Sequence, residues 1–241
     1  MPATFDLLIL IGRPASGKSE IIDFLKHLPA KTRRERYHLV KLDILDDFPM
    51  LWAWFEEDAL LTRRFNRPRL HTDEDGYFIN PDLWHVLIER LDLDYQKRRR
   101  DQPAYHRRNT TLVEFSRGSQ HGGYAGAFPH FSDELLGRAV VLYVRVPFEE
   151  ASRKNRLRYN PQRPDSILEH GLSDSKMEQL YHLDDWETFS QADPVFLHVR
   201  DVSIPYAVFE NGDDVTTGKP DLLASRLETT LDYLWKLRHK D

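Results

Sequence analysis

The chain has 241 residues, 40% hydrophobic and 12% aromatic, with a formal net charge of −5 and no cysteine. That is apolar mass enough for one large domain with a proper core, and the charge argues against a nucleic-acid coat, which needs a basic surface for counterion release. Disulfides, thiolate metal sites and thiol nucleophiles are excluded. The first apolar run is short and lacks a basic leader, and no stretch nears the roughly 20 apolar residues of a membrane span, so the expectation is a cytoplasmic protein without signal peptide or membrane partner.

That first run, Phe5-Asp6-Leu7-Leu8-Ile9-Leu10-Ile11, reads as a buried strand. It leads into Gly12-Arg13-Pro14-Ala15-Ser16-Gly17-Lys18-Ser19, which fits G-x-x-x-x-G-K-[ST] at every defined position. Ile21, Ile22, Leu25 and Leu28 follow at helical spacing, so the motif lies in a strand-to-helix turn, the context that confirms a P-loop. Its glycines let backbone N–H groups nest around phosphate oxygens, and the helix N-terminus adds positive potential. Lys18 is expected to reach the β- and γ-phosphates of ATP and the Ser19 hydroxyl to bind Mg²⁺. All eight residues are therefore candidate nucleotide ligands, Lys18 a catalytic one. A chance match at this length is on the order of one in a hundred.

Lys31 to Arg36 reads as a solvated connector. Tyr37-His38-Leu39-Val40-Lys41-Leu42-Asp43 then looks like a second strand ending in an acid, with Asp46 and Asp47 just beyond. Carboxylates at the C-terminal end of such a strand face the ligand crevice. Asp43 is thus a candidate general base for an acceptor hydroxyl and Asp46 a candidate substrate ligand; the plain alternative is that these acids cap the next helix. Residues 48–109 predict two helices, the first carrying Leu51, Trp52, Trp54, Phe55 and Phe65, the second opened by Asn80-Pro81-Asp82. Their aromatics either stack on an acceptor or, the reading burial preferences favour, belong to the core. Lys97 to Arg100 with Arg107 and Arg108 form a basic patch, read first as solvated surface.

Thr110-Thr111-Leu112-Val113-Glu114-Phe115 has the look of a Walker B strand, which makes Glu114 a candidate for the Mg²⁺ shell. Arg117 then emerges at the same sheet edge as a candidate substrate ligand. The Gly-rich stretch from Gln120 to His130 suits a flexible substrate lid, with Tyr124 its candidate contact; its histidines lack the partners a zinc site needs. Ala139 to Val146 is the pattern of a central parallel strand. Beyond Pro147 a helix begins that turns basic with Arg153, Lys154, Arg156 and Arg158, then Arg163. A helix within 173–192, two short strands at 195–199 and 206–210, an Asn211-Gly212-Asp213-Asp214 turn and an amphipathic closing helix from Asp221 complete the chain.

A strand, a P-loop, a strand ending in Asp, a strand ending in Glu-x-x-Arg, a further strand and helix, then an Arg-rich flap: in this order the chain resembles the P-loop nucleoside and nucleotide kinases of the P-loop NTPase superfamily. The resemblance implies one three-layer α/β/α domain over residues 1–241 with a mainly parallel five-stranded sheet, a helical acceptor-side insertion at about 48–109 and a LID-like segment at about 153–172. It also implies catalytic contacts to the transferred phosphoryl group from Arg153 and Arg156, substrate contacts from Arg158 and Arg163, and a base-side place for Asn211. Guanidinium forks suit phosphate oxygens, although cations at a helix end also complement its dipole. The function expected is ATP-dependent phosphoryl transfer to a small-molecule acceptor by a monomer or homodimer. A nucleotide-dependent switch and a kinase of nucleic-acid ends are the alternatives.

Overall fold

The computed structural model describes residues 4–158, 162 and 172–239. In chain order it runs β1 (Leu7–Gly12), α1 (Lys18–His27), α2 (Ala30–Tyr37), β2 (Lys41–Asp46), α3 (Phe48–Phe65), α4 (Leu83–Asp101), β3 (Asn109–Phe115), α5 (Gly123–Ala127), α6 (Asp133–Leu136), β4 (Ala139–Arg145), α7 (Phe148–Arg158), α8 (Asp174–Tyr181), α9 (Trp186–Ser190), β5 (Phe196–Val199), β6 (Val202–Glu210) and α10 (Pro220–Arg238). The strands form one sheet in the order β2-β3-β1-β4-β6-β5, parallel except for β5. It has six strands where five were expected; the antiparallel hairpin of β5 with β6 supplies the difference.

Alternation along the strands builds two cores, one per sheet face. Leu7, Ile9 and Ile11 of β1 point into one, with Ile88, Leu91 and Tyr95 of α4 and Tyr124, Phe128 and Trp186. Leu8 and Leu10 point into the other, against Ile21, Ile22 and Leu25 of α1 and Leu223, Leu227, Leu231 and Leu234 of α10. The result is the three-layer α/β/α architecture. Helix α3 joins neither core: Asp58 is its one buried residue, while Phe48, Leu51, Trp52 and Phe55 stay half-buried.

The second strand differs from the sequence reading. Tyr37 ends α2, and His38 then adopts a left-handed conformation (φ 55°) that closes the helix, so β2 starts at Lys41. Its terminal acid is consequently Asp46, in register with Glu114, whereas Asp43 pairs with Thr111 inside the sheet.

Candidate functional site

Because β1 lies between β3 and β4, its C-terminal end delivers the P-loop to the middle of the sheet edge. Gly12 and Gly17 hold φ of 153° and 107°. A Cβ on Gly12 would come within 2.7 Å of the Val144 carbonyl, and one on Gly17 within 2.6 Å of Asn211 Nδ2. Glycine is therefore required at both positions by space as well as by φ at Gly17. The Lys18 ammonium is buried and donates to the carbonyls of Gly12 (3.1 Å) and Arg13 (3.0 Å) and to Ser116 Oγ (2.8 Å). Burial lowers its pKa, against the pull of Glu114 and Asp46. Arg13 turns away from the loop, onto the carbonyls of Tyr181, Val146 and His182 and onto Asp184.

Lys18 and Ser19 share a cavity of about 140 Å³ with Pro14, Ala15, Gly17, Asp46, Asp47, Glu114, Ser116, Arg117 and Arg158. Two of its carboxylates are electrostatically exposed to each other. Asp46 is raised to about 7 by burial, then by Glu114 and Asp47, in spite of a hydrogen bond from the Phe48 N–H (3.0 Å) and the nearby Lys18. Glu114 is also raised, by burial first and with Asp47 adding, against the pull of Lys18 and Arg158. Like charges in a low-dielectric crevice favour protonation of one partner or capture of a cation. Asp47 is better compensated, because Arg117 donates to it at 2.7 Å. Arg117 is itself 1% exposed, donates to the carbonyls of Ser116 and Trp84, and lies over the Trp84 ring.

Several sequence candidates lie elsewhere. Asp43 is a correction: it is outside the cavity, ion-paired with Arg98 and accepting from the Tyr105 hydroxyl, because β2 runs three residues further than its apolar pattern suggested. Tyr124 is a second: it is fully buried in the core, its ring packed against Phe115, Tyr143 and Trp186, and burial drives its pKa well above the ordinary value. The stretch around it is no open lid. The Asp185 carboxylate accepts from the N–H groups of Tyr124 and Ala125 and holds α5 in place. Asn211 is a third: its amide donates to the Ser16 carbonyl (2.7 Å) and Thr216 Oγ1 and accepts from Val215 and Thr216, so it braces the P-loop instead of reading a base.

Of the flap arginines, Arg153 pairs with Glu150 and Asp214 and Arg156 with Asp174, and neither lines the cavity of Lys18. Arg158 does. Arg163 and most of the LID-like segment lie outside the described residues. The basic patch is engaged in ion pairs: Arg98 with Asp43, Arg99 with Glu134, Lys97 with Asp94, Arg100 with Asp101.

Sequence reasoning missed Ser116, whose hydroxyl accepts from Lys18, and the loop after β6. Asp214, Thr216, Gly218 and Lys219 of that loop face Arg153, Lys154 and Arg158 across an open cleft of about 1050 Å³ that begins at Ala15 and Ser19. It also missed Trp84 and Tyr181, which join the cavity to a groove along α3. The spacing of Phe48, Trp52 and Phe55 (i, i+4, i+7) was the available signal for that groove. No helix is long and apolar enough to cross a membrane among the described residues.

No protein-family model matches the sequence, and no curated protein sequence matches it. Among solved structures, Kti12 from Chaetomium thermophilum in complex with ADP-AlF3 matches over 97% of this chain and 100% of that one, at 14% identity and a TM-score of 0.51. TT1252 from Thermus thermophilus matches over 97% and 98% (15% identity, TM-score 0.47). An unliganded sugar kinase from Janibacter sp. HTCC2649 matches over 98% and 99% (13% identity, TM-score 0.41). At these identities the likeness concerns architecture alone. Sheet order, Walker A loop and the likeness to Kti12 agree: the chain has the P-loop kinase-like fold.

Proposed function

We propose that the chain is a phosphotransferase that moves the γ-phosphoryl group of ATP to a hydroxyl of a small-molecule acceptor. The observation that carries this reading is the gathering of Lys18, Ser19, Asp46 and Glu114 around one cavity that opens on one side to the cleft by the β6–α10 loop and on the other to the groove along α3. The cleft suits the nucleoside and the groove the acceptor, with the reacting oxygens meeting between them. Asp46, at the end of β2 and without a cationic partner in ion-pair contact among the described residues, takes the role of general base in place of Asp43. Lys18 supplies positive charge to the phosphates, and Arg158 adds to it.

Among the described residues no cluster of three or more His, Cys, Asp or Glu side chains is placed to hold a metal by itself. The donors nonetheless fit Mg²⁺ completed by phosphate and water oxygens: a Ser19 hydroxyl at the helix N-terminus and a buried Glu114 whose charge burial opposes. When bound, the ion supplies charge neutralisation at the β- and γ-phosphate oxygens.

The test is ADP formation from Mg-ATP across nucleosides, nucleotides, sugars, amino alcohols and short oligonucleotides, with Lys18→Ala as blank. Acceptor-stimulated turnover that vanishes in the variant is the expected result. Tight ATP binding with no stimulation by any acceptor would overturn the reading in favour of a nucleotide-dependent switch.

A further inference from the structure

The groove beside the catalytic cavity has a volume of about 690 Å³, within the range that encloses a small organic ligand. Phe48, Leu51, Trp84, Leu172 and Tyr181 line both, so the two are continuous. One wall is the unburied apolar face of α3, Phe48, Leu51, Trp52 and Phe55; the other is Tyr77, Phe78 and Trp84. An apolar helix face that joins neither core is costly to leave in water. Here it borders the place where a phosphoryl acceptor must stand.

The polar lining narrows the occupant. Among the described residues each cation of the groove is already engaged: Arg69 on the Thr72 carbonyl and hydroxyl, Lys176 on the Gly76 carbonyl and over the Tyr77 ring. Arg117, behind Trp84, serves Asp47. The exposed carboxylates at the rim are Glu74 and Asp75. A body bearing phosphate would therefore meet repulsion without a free guanidinium to receive it. A cationic body fares little better, since burial at this wall lowers the pKa of Lys176 and holds His121 at about 3, with Arg117 adding to the latter. What remains is uncharged and flat, a shape that aromatic walls reward.

Resting on the phosphotransferase reading, we infer that the α3 groove holds the acceptor's body and selects an uncharged alcohol built on a planar, π-rich ring. The hydroxyl points past Trp84 toward Asp46, while the ring lies against Phe48, Trp52 and Phe55. In the transfer, the acceptor oxygen forms a bond to the γ-phosphorus as the bond to the β,γ-bridging oxygen breaks; ADP leaves, and the hydroxyl proton passes to Asp46.

Two measurements on the full chain test this. The first compares acceptor-dependent ADP formation with the four ribonucleosides and riboflavin against their 5′-phosphates, D-ribose, D-glucose, L-homoserine, choline and a short RNA. The ring alcohols should be preferred over their phosphates and over every non-planar alcohol. In Phe55→Leu and Trp52→Leu, acceptor KM should rise about tenfold with kcat and ATP KM within about twofold. The second follows binding of the same ring alcohols by intrinsic tryptophan fluorescence, without ATP, in the parent and in Phe55→Leu. Preference for a phosphorylated, sugar, cationic or RNA acceptor would overturn the inference and leave the phosphotransferase reading standing. Ring alcohols that bind, weaken about tenfold in Phe55→Leu, yet never stimulate turnover would uphold the groove and sink the transfer reaction. Failure of every ring alcohol to bind would sink the groove assignment.

Discussion

Asp46 and Asp58 are two carboxylates removed from water on opposite sides of the same site, and the protein treats them in opposite ways. Asp58, under the α3 wall, accepts hydrogen bonds from the N–H groups of Leu70, His71 and Thr72 and from the Thr72 hydroxyl. Burial alone would raise its pKa, but those donors outweigh it and hold the group at about 2. Asp46, on the catalytic floor, receives one backbone donor and faces Glu114, and it rises to about 7. The wall is thus a finished piece of structure, its polar groups matched so that the aromatic face above it is held still. The floor retains charge that the protein itself does not neutralise, which is the condition for acting on a proton or a cation.

Substitutions can break this contrast, beginning at the floor. Lys18→Ala should lower phosphoryl transfer by about 10³-fold or more, because the phosphates lose their nearest cation; a pre-steady-state assay of ADP formation measures it. Asp46→Asn should cost about 10²–10⁴-fold in kcat. It has a second signature in ligand-free protein with chelator. An acid that titrates higher when folded makes stability fall as pH climbs from 3.8 to about 7. In Asp46→Asn that decline should flatten, so thermal melts at pH 8 should show the inactive variant to be the more stable protein. Equal pH profiles for the two proteins would count against an uncompensated Asp46.

At the wall the sign reverses. Asp58→Asn should destabilise by about 2–3 kcal/mol through lost charge-assisted hydrogen bonds. The parent's contribution from this group is whole above pH 3.8 and is lost as pH falls toward about 2. Urea melts between pH 3 and 7 check both statements, and acceptor KM should rise while ATP KM stays. Asn211→Leu should weaken ATP binding about tenfold by releasing the Ser16 carbonyl, read by nucleotide titration. Asp43→Asn is the smallest change: less than about 1 kcal/mol for a partly exposed ion pair and turnover within about twofold. A collapse of turnover there would restore Asp43 to the chemistry.

The fold was legible where information is local. The P-loop announces itself in eight consecutive residues, and alternation or continuous apolar runs mark β1, β3 and β4. Where one residue's conformation decides the register, legibility ended. His38 in the left-handed region closes α2 late, and a strand start displaced past Val40 moves the terminal acid from Asp43 to Asp46. The stretch after β3 misled for another reason: its glycines suggested freedom, while Tyr124, Phe128 and Phe131 recur at helical spacing and anchor it in the core. Asn211 was legible as a residue near the nucleotide, not as one whose four hydrogen bonds are all internal. The α3 wall needed tertiary structure, since an aromatic stripe looks alike whether a core or a ligand is to cover it.

The brace from Asn211 to Ser16 joins residues 195 positions apart. A ribosome that has released only the β1-to-α7 portion has therefore exposed a complete Walker A signature with nothing under it. The nest of amides gains its support only when β6 slides in beside β4 and carries Asn211 with it. Synthesis order thus makes nucleotide recognition one of the last properties the nascent protein acquires, and arrest before Asn211 would leave a chain that bears the signature without the grip.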